Sequence, residues 1–494
     1  MTTSFAAALV LTGRPYEEEA LHAFQQSAFF GSRATVRTPR AGALAATPFD
    51  LPSQSLWDTA TLRRLIEWFL ATNHSHLMLL LPGAPQITEL GFRRWKQWAD
   101  DTTAPLLYAD YFERASDGAL KAHPLIDYQP GSIRDDFDFG PVICLRREGL
   151  DTFLRETRSE HPLAFGALYH LRLRLAEKSS LTRIPEPLSV FPNPDLRASG
   201  QKNFDYCDPR ARDYQIEMER VASSHLIRIK AAIPRGMRAP ARSPKPAPVT
   251  ASVIIPVRNR VKTVGDAVQS ALAQQASFPF NVIVVDNHSD DGTTQLLRDL
   301  SRSHPNLVHV TPERRDLLIG GCWNEAVFSE HCGEFAVQLD SDDLYSSQDV
   351  LERIVAEFRK TDASLVIGSY TIVNVALEVL PPGLIDHKEW TFDNGANNAL
   401  RIAGLGAPRA FHTATIRELG GFPNTSYGED YGAVLRLLRE HKVGRIYDSL
   451  YWCRRWEGNS DSALPLETSN RYSSYKDKLR TLEIEARQRL NLTR

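Results

Sequence analysis

Cysteine, net charge and long apolar runs are all scarce in this chain. Its 494 residues include five cysteines, Cys144, Cys207, Cys322, Cys332 and Cys453, none spaced as Cys-x-x-Cys. An odd, scattered set argues against a disulfide framework or a structural zinc site and favours a reducing compartment. Lysine plus arginine number 58 against 60 aspartate plus glutamate, a formal charge of −2. That balance gives no support to nucleic-acid binding through a basic surface. No window approaches the ~20 apolar residues of a membrane span. The apolar start, Met1 to Leu11, lacks a basic flank and a cleavage site. It reads as a first strand, Ala6–Leu11, rather than a signal peptide. The expectation is a cytoplasmic protein, with peripheral membrane association at the inner face left open.

What is present is an ordinary globular composition, 42% apolar and 24% charged, which rules out wholesale disorder. At roughly 100–200 residues per domain, the length suggests two to four domains. The stretch Pro234–Pro248 is rich in proline and carries Arg235, Arg238, Arg242 and Lys245 without a hydrophobic period. It reads as a solvated, extended linker. Before it, Tyr214, Met218, Val221 and Leu226 recur near helical spacing, predicting a connecting helix within Asp208–Ala232. At the far end, Ser469–Leu490 reads as an amphipathic helix that packs on the body or on another subunit.

Between linker and tail, strand and helix patterns alternate. Ser252–Pro256, Asn281–Val285, Leu307–Val310 and Phe335–Leu339 read as strands; Val261–Gln275, Thr293–Ser303 and Gly320–His331 read as helices. Such alternation predicts an α/β fold with a mixed, mostly parallel central sheet. Ligands of parallel sheets bind beyond the carboxyl ends of the strands. Three of those ends are chemically loaded: Pro256-Val-Arg-Asn-Arg260, Asp286-Asn-His-Ser-Asp-Asp-Gly-Thr293 and Asp340-Ser-Asp-Asp343. A carboxylate after a strand can accept from a nucleobase or a ribose hydroxyl. An Asp-x-Asp there can hold Mg²⁺ or Mn²⁺ across two phosphates, although acids at loop starts are also common turn formers.

Two further elements follow. Gly428-Glu-Asp-Tyr431 opens a helix, where a carboxylate complements the helix dipole and is also rigidly placed for base chemistry. Arg454-Arg-Trp-Glu-Gly-Asn-Ser-Asp461 follows a strand-like run. Arginines beside an acidic metal site suit a diphosphate lying between them.

In this order the five elements, with Gly-Gly-Phe422 ahead of Glu429-Asp430, resemble the family 2 glycosyltransferases of GT-A fold, from Ala251 to about Leu464. The resemblance implies an inverting, metal-dependent transfer from a nucleotide-sugar, commonly a UDP-sugar, to a hydroxyl. It implies Asp286 as the acid reading the base, Pro256 and Arg258 in the same pocket, and Asp291 as a further nucleotide-side acid. Asp340 would contact the ribose or the metal shell, and Asp342 would ligate Mn²⁺ or Mg²⁺. Asp430 would be the catalytic base, with Glu429 shaping the acceptor site. The late-loop histidine of many relatives is missing here, so Glu457 or Asn459 would substitute or the phosphates would complete the shell. The helix before the metal motif reads Trp323-Asn324 instead of Arg-Asn, which shifts the phosphate contact to Arg454 or Arg455. His387, Trp390 and His412 are the acceptor-side candidates, chosen because aromatic and amide groups suit sugars.

Residues 1–200 hold no loaded motif, yet echo the second half. Leu173-Arg-Leu175 lies 262 positions before Leu435-Arg-Leu437, and Arg183-Ile184 the same distance before Arg445-Ile446. His76–Leu81 aligns with Glu334–Leu339, and Tyr111 with Tyr370. The acids do not survive: Asp340, Asp342 and Asp343 fall on Pro82, Ala84 and Pro85, and Glu429 and Asp430 on Ala167 and Leu168. The expected layout is a degenerate GT-A-like domain at 1–200, helix and linker at 201–249, a catalytic domain at 250–464 and a terminal helix at 465–494. The expected partners are a nucleotide-sugar and a glycan, lipid-linked or protein acceptor, as in bacterial surface polysaccharide synthesis, with homo-oligomerisation left open and no nucleic acid. The alternatives are an inactive nucleotide- or glycan-binding protein and a sugar-phosphate nucleotidyltransferase. The second of these would want a glycine-rich phosphate loop that Pro256–Arg260 does not provide.

Overall fold

A computed structural model describes residues 3–14, 17–38, 41, 49–52, 57–83, 85–115, 117–191, 209–243, 245–388, 390–391, 393–456, 458–459 and 464–493. The chain forms two compact units. The first takes in 1–205, 213–231 and 465–488; the second takes in 206–212, 232–464 and 489–494. The expected connecting and terminal helices thus group with the first unit, and the proline-rich stretch with the second. Among the described residues no helix is long and apolar enough to cross a membrane.

The first unit runs β1 (Phe5–Leu11), α1 (Glu17–Gln26), β2 (Ser32–Arg37), β3 (Phe49–Pro52), α2 (Thr59–Leu70), β4 (His76–Leu80), β5 (Gln86–Ile87), α3 (Glu89–Asp101), β6 (Leu106–Ala109), β7 (Tyr111–Arg114), β8 (Leu120–His123), β9 (Val142–Arg146), α4 (Arg147–Glu156), α5 (Ala167–Ala176), β10 (Thr182–Ile184), β11 (Ser189–Phe191) and α6 (Arg212–Arg228). The main sheet has the order β3-β2-β1-β4-β9-β6-β10. Its neighbours pair in parallel except around β9, which is antiparallel to β4 and β6. Strand β1 shows why it is central. Ala6, Ala8 and Val10 enter one core cluster with Leu65 and Phe69, while Phe5, Ala7, Leu9 and Leu11 enter another with Trp95 and Leu107. An unbroken apolar run is what a strand covered on both faces requires.

The second unit runs β12 (Ala251–Val257), α7 (Val264–Leu272), β13 (Phe280–Asp286), α8 (Thr293–Ser303), β14 (Leu307–Val310), α9 (Ile319–Val327), β15 (Phe335–Gln338), β16 (Leu344–Tyr345), α10 (Val350–Thr361), β17 (Leu365–Asn374), β18 (Val379–Ile385), α11 (Gly395–Asn398), β19 (Arg409–His412), α12 (Thr413–Glu418), α13 (Glu429–Leu438) and β20 (Val443–Arg455); α14 (Leu466–Thr493) ends the chain. Its sheet has the order β14-β13-β12-β15-β19-β17-β20-β16. The first seven strands repeat the order of the first unit, with β19 antiparallel where β9 was. Register repeats as well. Thr182 faces Leu107 as Gly444 faces Val366, and Val190 faces Phe112 as Trp452 faces Thr371.

The proline-rich stretch is not a free tether over its whole length. Arg238 forms a parallel bridge to His441: its N–H donates to the Glu440 carbonyl at 2.9 Å and its carbonyl accepts from Lys442 N–H at 3.3 Å. Its guanidinium pairs with Glu418 and Glu440. Ala241 N–H donates to Thr415 Oγ1 at 2.9 Å. This close approach needs Gly236, because a Cβ there would lie 2.3 Å from the His441 carbonyl oxygen. Gly236→Ala is therefore expected to cost about 1–3 kcal/mol and lower the calorimetric melting temperature by several degrees. An unchanged melting temperature would show that the strap is not docked in solution.

Candidate active site

Strands β13, β12 and β15 are successive parallel neighbours, so their carboxyl ends open on one edge. On that edge the loops after β12 and β13 are laced together. Asn259 N–H donates to Ser289 Oγ at 2.9 Å, Asp290 N–H to Asn259 Oδ1 at 2.9 Å, and Arg260 N–H to Thr293 Oγ1 at 2.9 Å. Pro256 sits opposite Val285 in this pair of strands, and Arg258 is exposed beyond it.

Asp286 ends β13 fully buried. Its carboxylate accepts from Ser289 N–H at 3.1 Å and Thr294 Oγ1 at 2.5 Å, and lies 3.4 Å from His309 Nε2. Burial would raise this carboxyl, but the hydrogen bonds from His309, Ser289 and Thr294 outweigh burial and hold it well below the usual carboxylate range. The carboxylate shapes the loop from inside. Asp291 does similar work, accepting from Val261 N–H at 3.0 Å and from Thr293 N–H and Oγ1 at 3.0 and 2.6 Å.

The acidic run follows β15. Asp340 N–H donates to Tyr451 Oη at 3.0 Å, and the Asp340 carboxylate accepts from Gln338 Nε2 at 3.0 and 3.1 Å. Asp343 accepts from Arg454 N–H at 2.7 Å. Asp342 Oδ2 accepts from Trp456 Nε1 at 3.2 Å and from Asn459 Nδ2 at 3.3 Å. Burial, then the charges of Asp340 and Asp342, push the Asp343 carboxyl well above its ordinary value. Burial also raises Asp340, with Gln338 and Arg409 opposing. Glu457 lies outside the described residues, and Asn459 spends its amide on Asp342, Arg454 and Trp456. Among the described residues no three His, Cys, Asp or Glu side chains form a closed metal cage.

The arginines divide the labour. Arg454 is buried; Nη1 meets Asp266 Oδ2 at 2.9 Å and Nε donates to the Asp342 carbonyl. It braces the acidic loop. Arg455 ends β20 opposite Asn374. Arg409 stands at the start of β19. Its Nη2 lies 2.9 Å from Asp430 Oδ2, its Nη1 2.7 Å from the Gly406 carbonyl and its N–H 3.1 Å from Gln338 Oε1. Gln338 and Tyr451 also belong here and were not among the sequence candidates, whereas Asn459 was, as a substitute metal ligand. Gln338 left one signal, an amide closing an otherwise apolar strand two residues before Asp340.

Glu429 and Asp430 form the first turn of α13, after Gly428 at φ 79°. Helix α9 packs close to them through Gly320, whose added Cβ would meet the Pro423 carbonyl at 1.8 Å and Glu429 Cβ at 2.9 Å. Burial, then the Asp430 charge, push the Glu429 carboxyl up to about 8.

The acceptor-side candidates lie elsewhere. His412 pairs with Phe335, the first residue of β15, so it stands at the end of the sheet opposite Asp340. There it caps α12 through Thr415. His387 is fully buried, with φ 50°. Trp390 is 2% exposed and lies under the Arg445 guanidinium at 5.3 Å. These two residues pack a loop interior.

Residues 252–417 match the family model described as glycosyl transferase family 2. No curated protein matches the chain. Among solved structures, TarS 1-349 of S. aureus in complex with UDP-GlcNAc is 21% identical, covering 48% of this chain and 72% of its own, with a TM-score of 0.37. The mannosyltransferase PcManGT from Pyrobaculum calidifontis, in complex with GDP-Man and Mn²⁺, is 18% identical, covering 56% and 83%, with a TM-score of 0.32.

The raised Glu429 carboxyl sets a pH dependence. The carboxyl stays protonated in the fold up to about pH 8, whereas in the unfolded chain it ionises above its ordinary value of 4.5. Stability held by this group is therefore lost progressively as pH rises from about 4.5 to 8. Compared with Glu429→Gln, the wild type should lose several degrees of melting temperature across that window. Parallel curves for the two proteins would refute the assignment.

Proposed function

We propose, on the premise that the second unit carries a glycosyl transferase family 2 domain, that it moves a sugar from a nucleotide-sugar to an acceptor hydroxyl by inverting single displacement. One observation carries the reading. The rigid carboxylate Asp430, at the start of α13, is linked through Arg409 and Gln338 to Asp340, the first acid of the run after β15. Base and acidic run thus belong to one chain of polar contacts at the same sheet edge. Asp430 takes the proton from the acceptor hydroxyl as its oxygen bonds to the anomeric carbon. The bond from that carbon to the nucleoside diphosphate breaks, and the diphosphate leaves with the electron pair. Asp342, with Asp340, would hold a Mn²⁺ or Mg²⁺ ion, which supplies positive charge against the departing diphosphate. The hard oxygen donors suit that ion, which commonly takes one or two carboxylates and completes its shell with phosphates and water. Burial, and then like charge, raise Asp340 and Asp343, and a cation would offset both. The donor nucleotide expected is UDP.

The first unit is read as a non-catalytic copy. Its strand order supports this, and so do two self-filled corners. Glu217 accepts from the N–H groups of Ala164, Phe165 and Gly166 at 2.8, 2.7 and 2.8 Å, at the start of α5, where the matching helix of the second unit bears Glu429 and Asp430. Glu17 accepts from Thr12 and Gly13 N–H, both at 2.7 Å, beyond β1. Each carboxylate occupies backbone donors that an anionic ligand would need.

Thermal shifts with UDP, GDP, dTDP and CDP, each with and without Mn²⁺, test the donor reading. Saturation at a hundredfold over Kd stabilises the native state by about 2.7 kcal/mol. One nucleotide should shift the wild type in a metal-dependent way and leave Asp342→Ala unmoved. Asp430→Ala should keep the shift yet lose at least about a hundredfold in nucleotide release from the matching sugar donor. Wild-type turnover in Asp430→Ala would overturn the base assignment, and no shift with any nucleotide would favour an inactive binding protein.

A further inference from the structure

We propose that Arg409 is the positioning residue of the transfer reaction, gripping the Asp430 carboxylate and registering it against the acidic run after β15. This deepens the functional reading above and rests on it. The placement follows from topology. Strand β19 runs antiparallel between β15 and β17. Its first residue therefore stands level with the last residues of β15, at the edge where the acids gather. Two neighbouring arginines are placed differently: Arg454 is committed to Asp266 and the Asp342 carbonyl, and Arg445 donates to the Leu405 and Asp386 carbonyls.

The grip has three points. Nη2 holds Asp430 Oδ2 at 2.9 Å, Nη1 is anchored on the Gly406 carbonyl at 2.7 Å, and the backbone N–H is anchored on Gln338 Oε1 at 3.1 Å. The same Gln338 amide donates to both oxygens of Asp340. The Arg409 side chain is only 16% exposed, so its position is set by packing. The other oxygen of Asp430, Oδ1, accepts from Tyr431 N–H at 2.6 Å. A carboxylate held at both oxygens keeps one orientation, and orientation is where a base gains much of its effect. The largest charge acting on this guanidinium is the Asp430 carboxylate on α13, followed by Asp340 beyond β15. Among the described residues, Arg409 is the cation paired with Asp430.

The first unit provides an internal comparison. Val142 faces Leu80 across β9 and β4, the place that Arg409 takes beside Gln338. There the base position is Leu168 and the acidic run is replaced from Pro82 onward. Arg445, in contrast, has a counterpart in Arg183, which pairs with Asp110 at 2.7 Å. The arginine that braces the fold is present in both units, and the arginine beside the base is present only where the base is.

The test uses the full chain and nucleotide release from whichever UDP-, GDP- or dTDP-sugar it hydrolyses fastest, with water as acceptor. Arg409→Gln should lower kcat about 10²-fold, with donor KM and the nucleotide thermal shift unchanged within about twofold. Arg409→Lys should recover about tenfold of the loss, because the charge returns without the fork. The double variant Arg409→Gln/Asp430→Asn should be as slow as Asp430→Asn alone, since both changes act through one carboxylate. Wild-type kcat in Arg409→Gln overturns the proposal, as does a double variant slower than either single one by the product of their effects. If Arg409→Gln does not fold, Arg409→Lys decides: a tenfold loss of kcat at constant donor KM supports the grip, and wild-type kcat overturns it. Asp430→Asn run alone separates the two levels. Full activity there overturns the functional reading itself, whereas loss there with full activity in Arg409→Gln overturns only the role of Arg409.

Discussion

Crowding of carboxylates at one sheet edge is the constraint on which the second unit depends. Asp340, Asp342, Asp343, Glu429 and Asp430 gather near the carboxyl ends of parallel strands; Asp343 is buried and the others are half-buried. Each buried negative charge is costly unless paired or neutralised. The surroundings answer that cost in three ways. Glu429 and Asp343 are pushed toward the protonated form. Arg409 and Arg454 supply buried positive charge beside Asp430 and the Asp342–Asp343 loop. Tyr451, Trp456 and Asn459 donate or brace at the remaining points. A site built this way shifts the protonation of its own carboxyls, as close like charges and burial do.

The first unit shows the same scaffold without that load. Its seven-stranded sheet has the order of the first seven strands of the second, with an antiparallel strand at the same place, β9 for β19. Its equivalent corners are closed by Glu17 and Glu217, each satisfied by backbone N–H groups of the unit itself. A sheet covered on both faces needs apolar strands whatever its loops do. The framework therefore persists while the strand ends change, and one architecture hosts an electrostatically loaded edge in one unit and a self-satisfied edge in the other.

Much of this was legible in the residue order. Apolar runs such as Ser252–Pro256 and Phe335–Leu339 mark buried parallel strands by composition alone, and the acids directly after them had to lie at the carboxyl edge. The shared offset of Leu173-Arg-Leu175 and Arg183-Ile184 with their later counterparts agrees with the strand register. His387, Trp390 and His412 were misleading, because polar aromatic residues in a loop look the same whether they line a groove or fill a turn. Their burial is decided by contacts with Tyr370, Arg445 and Phe335, all distant from them in sequence or across the sheet.

The sequence by itself determined the alternating fold, the acidic strand ends and the family 2 motif order, because these depend on local period and on which residue follows which strand. Only the tertiary structure decided how each group is used. Asp286 faces inward since Thr294 and Ser289 reach it around the turn. Arg454 braces since Asp266 stands across from it. Arg409 reaches Asp430 since an antiparallel strand brings its first residue to the edge where the parallel strands end. Pair distances between remote residues set the direction and the satisfaction of a charge, and no local pattern encodes them.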